Sequence, residues 1–191
     1  MPVYRTRNDI RNVVIVVGIL LFSNFALWGN SQDRPESSSN HVRLELQVQY
    51  ELIILSNYSV FDSLEFEILD GDSVTLSGRV TRPSLKSDAE STIRRLEGIG
   101  KVVNKIEVLP ISPGDERIRL AVYRAFFDNT DLSVYVIRAV PPIHFIVENG
   151  NVTLIGLVAT QAEKDMAEIA VGQVPGVFSV VNNLRIKRGN L

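Results

Sequence analysis

The feature that most limits what this chain can fold into is an internal duplication. Val74, Thr75, Leu76, Gly78 and Val80 recur as Val152, Thr153, Leu154, Gly156 and Val158, a shift of 78 residues. The shift holds without a gap from residue 74 to residue 108. Within it Lys86, Ala89, Glu90, Gly98, Val102, Val103 and Asn104 also meet identical partners: Lys164, Ala167, Glu168, Gly176, Val180, Val181 and Asn182. Upstream the shift becomes 79, pairing Phe66 with Phe145 and Gly71 with Gly150. The extra residue falls in a turn, where an insertion costs least. A duplicated chain of 191 residues has room for two small domains, each one supersecondary unit.

Both copies carry the same pattern. Leu64, Phe66 and Ile68 alternate with Glu65 and Glu67, and Ile143, Phe145 and Val147 repeat the alternation of a half-buried strand. Asn149 and Gly150 form the favoured pair for a tight hairpin turn, with Asp70, Gly71, Asp72 and Ser73 as a looser equivalent. A second strand follows at residues 74–80 and 152–158. Gly78 and Gly156 sit in it, where a bulge or a close backbone approach is expected. Thr160 and Glu163 spell a helix capping box, and Ser84 is the expected cap in the first copy. Leu85, Ala89, Ile93 and Leu96 then share one helical stripe, as do Ala167, Val171 and Val174. Gly98 and Gly176 end these helices. The last strand places Val102, Ile106 and Val108, or Val180, Leu184 and Ile186, on one face. Asn104 and Asn182 share that face, and their amides are expected to satisfy turn backbone rather than hold a ligand.

Residues 115–128 predict a helix that opens the second copy. Ile118, Val122, Ala125 and Phe126 make one apolar stripe, and Leu120, Tyr123 and Phe127 make a second on the opposite side. Arg117, Arg119 and Arg124 lie between the stripes. The matching segment of the first copy, residues 42–55, alternates like a strand but by the repeat is assigned to a helix. Leu44, Val48, Leu52 and Leu55 then form one stripe, with Leu46, Tyr50 and Ile53 opposite. A helix apolar on two sides buries both or keeps one for a partner. The two second stripes either pack on each other, joining the copies, or meet lipid or another protein.

Ahead of the repeat, Arg5, Arg7 and Arg11 precede an apolar run over residues 13–22 that continues loosely to Trp28. This is the layout of an export segment. The run is short of the roughly 20 residues of a membrane helix, while Leu27 before Gly29 makes a poor cleavage site. Residues 1–29 are therefore either a signal peptide or a membrane anchor, and residues 30–40 are read as a flexible tether. The basic start puts the body on the non-cytoplasmic side: exported, periplasmic or anchored facing the periplasm.

The net charge of −2 becomes −4 once Arg5, Arg7, Arg11 and Asp9 are set aside. A mildly acidic body does not suit nucleic acid. There is no cysteine, and the two histidines are His41 and His144. Thiol nucleophiles and Cys-based metal sites are thereby excluded. Asp70 and Asp72 flank Gly71 as in an ordinary turn, without the distal Glu of a calcium loop. His144, on the polar face of a strand beside Pro141 and Pro142, is expected to be solvated. No acid, base and nucleophile converge in the pattern, so a non-enzyme with no cofactor and no metal is expected.

The run from Asn149 to Val158, then Ala167 and Glu168, Val174 to Val177, and Val180 to Leu184 resembles the BON domain family. The first copy carries the same motif at residues 74–78, 89–90, 97–99 and 102–106. The resemblance covers roughly residues 42–187 and is specific for the family but not for a function, since most motif residues are turn or core types. It implies an α+β fold of two tandem αββαβ modules, each a small three-stranded mixed sheet covered by two helices. The modules would span residues 41–110 and 114–188. Members occur as tandem pairs in exported, osmotically induced or outer-membrane-associated bacterial proteins, without attributed catalytic residues. The partner so implied is a phospholipid surface or an envelope protein. The candidate contact surface is Arg117, Leu120, Tyr123, Arg124 and Phe127. Arg119, or Lys187 and Arg188, would be further points of local attraction to anionic lipid.

Overall fold

The computed structural model describes residues 36–69 and 72–187, with side chains from residue 41 onward. The N-terminal residues 1–29 expected to form a signal peptide or anchor, together with Asp70, Gly71 and Arg188, lie outside these residues. The first module runs α1 (Glu36–Ile53), β1 (Ser63–Ile68), β2 (Ser73–Val80), α2 (Pro83–Arg94), β3 (Lys101–Asn104) and β4 (Glu107–Val108). The second runs α3 (Pro113–Phe127), a short 3₁₀ turn (Ser133–Tyr135), β5 (Ile143–Glu148), β6 (Asn151–Val158), α4 (Gln161–Gly172) and β7 (Ser179–Ile186). This is αββαβ twice.

In each module a hairpin feeds a parallel strand. β1 pairs antiparallel with β2, which pairs parallel with β3 and β4; β5 and β6 pair antiparallel, and β6 pairs parallel with β7. The helix between the parallel strands is the crossover such pairing requires. β3 and β4 together occupy the place of β7, interrupted at residues 105–106. Two cores follow from this arrangement. Val48, Leu52, Val74, Leu76, Leu85, Ala89, Ile93 and Ile106 are buried in the first. Ile118, Val122, Phe126, Phe145, Leu154, Ala167, Val171 and Leu184 are buried in the second.

Local chemistry explains the turns. Asn149 and Gly150 have φ of 51° and 76°, the paired positive angles of the tight hairpin. Gly78 and Gly156 also have positive φ, and a Cβ there would lie 2.1 Å from the Ser63 carbonyl oxygen or 2.0 Å from that of Pro142. Only glycine lets these strands approach so closely. Thr160 forms the expected capping box with Glu163. In the first copy the cap is Arg82, with Pro83 opening α2, and not Ser84. Proline at the first helical position sets the start two residues earlier than the hydroxyl would.

The tether also needs correction, because α1 begins at Glu36 and takes in residues 36–40. Ser and Asn cost only a few tenths of a kcal/mol each in a helix. A helix held by the buried Val48 and Leu52 extends back through them cooperatively.

Candidate functional site

The outward face of α3 is built from its N-terminus upward. Ser112 caps the helix, its Oγ accepting from the Asp115 N–H at 3.1 Å, and Pro113 follows. The buried Asp115 carboxylate accepts from the N–H groups of Asn149 and Gly150 at 3.0 and 2.8 Å, tying the helix start to the β5–β6 turn. One turn on, Arg119 donates to the Val147 carbonyl at 2.8 Å and pairs with Glu116 at 3.1 Å. It is buried, with Nε left without a partner among the described residues. Arg119 is therefore a strut between α3 and β5 and is not available to a lipid headgroup. Phe126 packs on Phe145 with ring centroids 4.7 Å apart.

These contacts fix the helix's rotation about its own axis. Ile118, Val122 and Phe126 face the core, while Arg117, Leu120, Arg124 and Phe127 face out. Leu120 is 46% and Phe127 53% exposed. Tyr123 is half-buried: it stacks on Phe127 and meets Phe61 of the first module edge-on, both at 6.3 Å. The five candidate residues thus lie on one helix, four on the open face and Tyr123 at the module junction.

The second stripe of α1 is also open. Val42, Leu46, Tyr50 and Ile54, each four residues from the next, are 41–57% exposed, while Ile53 is half-buried. The two second stripes therefore do not cover each other. What joins the modules is the loop of residues 58–62. The Phe145 N–H donates to the Val60 carbonyl at 2.7 Å, and Val60 is buried in the second module's core. Asp62 holds the loop, accepting from the N–H and Oγ of Ser59 and from the N–H and Oγ1 of Thr81. Arg79 pairs with Glu148 at 3.5 Å.

His144 belongs to this junction and is not the solvated residue expected of its strand face. Its ring stacks on Tyr58 at 5.3 Å. Nδ1 lies 3.3 Å from the Ser59 carbonyl, which can only accept, so Nδ1 carries the proton. Nε2, 3.4 Å from the Tyr58 hydroxyl, then accepts from it. Burial pushes the His144 pKa below its ordinary value, opposed by the Ser59 carbonyl and Asp62. Burial likewise pushes the Tyr58 phenol up.

Asn104 and Asn182 make identical bonds. Each amide donates to the carbonyl of Lys86 or Lys164 and to the carboxylate of Glu90 or Glu168, and each oxygen accepts from the N–H of Ile106 or Leu184. Their work is structural. A groove of about 540 Å³ beside the junction, lined by Ser59, Thr81, Arg82, Glu116 and Arg119 among others, has these side chains engaged with neighbouring protein groups, the Arg119 Nε excepted. No three His, Asp or Glu side chains among the described residues converge as metal ligands would.

Comparison with known proteins places these features in a family. The BON domain matches residues 59–110 and again residues 114–188. The osmotically-inducible protein Y of Escherichia coli (strain K12) is 32% identical over 120 residues, which is 62% of this chain and 59% of that protein. Two solved structures of CdsD, a structural protein of the type III secretion system of Chlamydia trachomatis, are more distant. One shares 14% identity with a TM-score of 0.32, covering 76% of this chain and 64% of that one. The other, the C-terminal domain, shares 10% with a TM-score of 0.24, covering 82% and 100%. The second match spans the whole αββαβ module and the first its ββαβ part, together more than half of the chain, and the chain belongs to the BON domain family.

Proposed function

We propose that this chain is a non-enzymatic protein of the cell envelope whose second module associates with phospholipid surfaces through α3. The observation that carries the reading is the pair of half-exposed apolar side chains Leu120 and Phe127, flanked on one helix face by exposed Arg117 and Arg124. Apolar residues beside arginines on a surface helix suit the boundary between headgroups and acyl chains. The osmotic induction in the relative's name and the export-type N-terminus support an envelope setting.

Flotation of residues 30–191 with liposomes tests it. Binding is expected to anionic vesicles, weaker in moderate salt because exposed charges are screened, and lost in L120S/F127S. Both side chains are half-exposed, so that variant stays folded by circular dichroism. Tyr123 is spared because it also holds the junction. A parent fragment that floats with neither neutral nor anionic vesicles sinks the lipid reading. The weight then moves to α1, whose open row of Val42, Leu46, Tyr50 and Ile54 suits an envelope protein partner, with the N-terminal segment as tether.

A further inference from the structure

The junction between the modules is heterologous: a loop of the first lies against β5 of the second. Because the modules are duplicates, each of these surfaces exists twice and the fold uses each once. The shared close approach of Gly78 to Ser63 and of Gly156 to Pro142 sets the correspondence at 79 residues. By that count the docking loop at residues 58–61 recurs at residues 137–140. There Ile137 is 62% and Val140 49% exposed.

The receiving strand recurs as β1. Phe66 faces Leu76 as Phe145 faces Leu154. The Leu69 N–H donates to the Ser73 carbonyl at 2.8 Å, so the alternation of the antiparallel ladder turns the Phe66 N–H outward, as the Phe145 N–H is turned. Among the described residues nothing accepts from it.

We propose that copies of this chain associate head to tail by repeating the internal junction, residues 137–140 of one copy docking on β1 of the next. Two of the side-chain changes between the used and unused surfaces are complementary, while Val60 is matched by the smaller Ala139. Where the Tyr58 ring and the Ser59 carbonyl meet His144, the repeated junction brings Ile137 and Arg138 beside Glu65, with Glu67 two residues along the same strand face. The three charged residues are exposed, and Arg138 forms no salt bridge among the described residues. Where Arg79 pairs with Glu148, the repeat sets Leu157 against Leu69, which is 45% exposed. An ion pair is replaced by an apolar pair, and a neutral contact by an ion pair. A heterologous contact of this kind gives a ring if its rotation closes and a filament if it does not. The partner is a second copy of this chain.

The full chain in a mild detergent, which also solvates the apolar N-terminal run, is the material for the test. Sedimentation velocity over a concentration series is expected to show self-association. Arg138→Glu should weaken it about tenfold or more, since like charges then face across the contact. Mixing Arg138→Glu with a Glu65→Arg/Glu67→Arg chain should restore it. The chain contains no cysteine, so single cysteines report cleanly. A139C mixed with E67C should cross-link through a short bismaleimide, and A139C mixed with S91C, on the exposed face of α2, should not. A monomer at every concentration overturns the proposal. So does association that Arg138→Glu leaves unchanged, or that gives no A139C–E67C product, because the contact then lies elsewhere.

Discussion

Asn182 and Asn104 are each a three-way clasp between a crossover helix and the following strand. In Asn182→Ala the Lys164 carbonyl and the Leu184 N–H lose their side-chain partner in a half-buried setting, a loss of about 1–3 kcal/mol. Asn183→Ala, at an exposed neighbour, should stay within about 0.5 kcal/mol of the parent. Urea unfolding compares the two, and equal midpoints would show that the clasp contributes nothing. The structural role of Asn104 and Asn182 was legible beforehand, because both recur in the duplication at turn-adjacent core positions. Arg119 was not legible in this way. Helical periodicity places it between two stripes, and only the packing of α3 on β5 brings the Val147 carbonyl to its guanidinium.

Among the elements, α1 shows how far periodicity reaches. Residues 42–52 alternate like a strand, and in the sequence only the repeat points to a helix. The reason for the helix lies in the row Leu44, Val48 and Leu52, whose last two members are buried in the first core. The start of α4 was readable from two residues, since a capping box is a local device. Thr160→Ala removes an acceptor for the Glu163 N–H and should cost about 1 kcal/mol. Thermal denaturation measures it, and an unchanged midpoint would mean that Glu163 alone holds the helix start. The cap of α2 is not legible, because a serine at the second helical position looks the same in sequence as a serine at the helix edge.

At the scale of the whole molecule, the two modules share a core through Val60 and a hydrogen-bonded histidine through His144. The polar alternation of β5 gave no sign of this, since the groups that bury His144 come from a loop 85 residues away. The junction should respond to pH. His144 in the unfolded chain takes up its proton near pH 6.5, and burial lowers that value in the fold. Between the two values the unfolded chain binds more protons, so stability falls as pH drops below about 6.5 and levels once the folded histidine also protonates. Above that range this residue adds no pH dependence. Thermal midpoints measured from about pH 7 to pH 5 should therefore decline in the parent. The decline should be shallower in His144→Phe, which keeps a ring against Tyr58. Identical slopes in the two proteins would remove His144 from the account.

The sharing of Val60 also imposes an order in time. A chain made from its N-terminus completes every strand of the first module before β5 exists. Until the segment bearing Phe145 follows, Val60 has no second core to enter, and Phe61 lacks Tyr123 and Phe145 to lie against. The nascent first module thus carries an uncovered apolar loop until the second half is made. Maturation ends with a docking step, in which the last-made half closes over the first-made one.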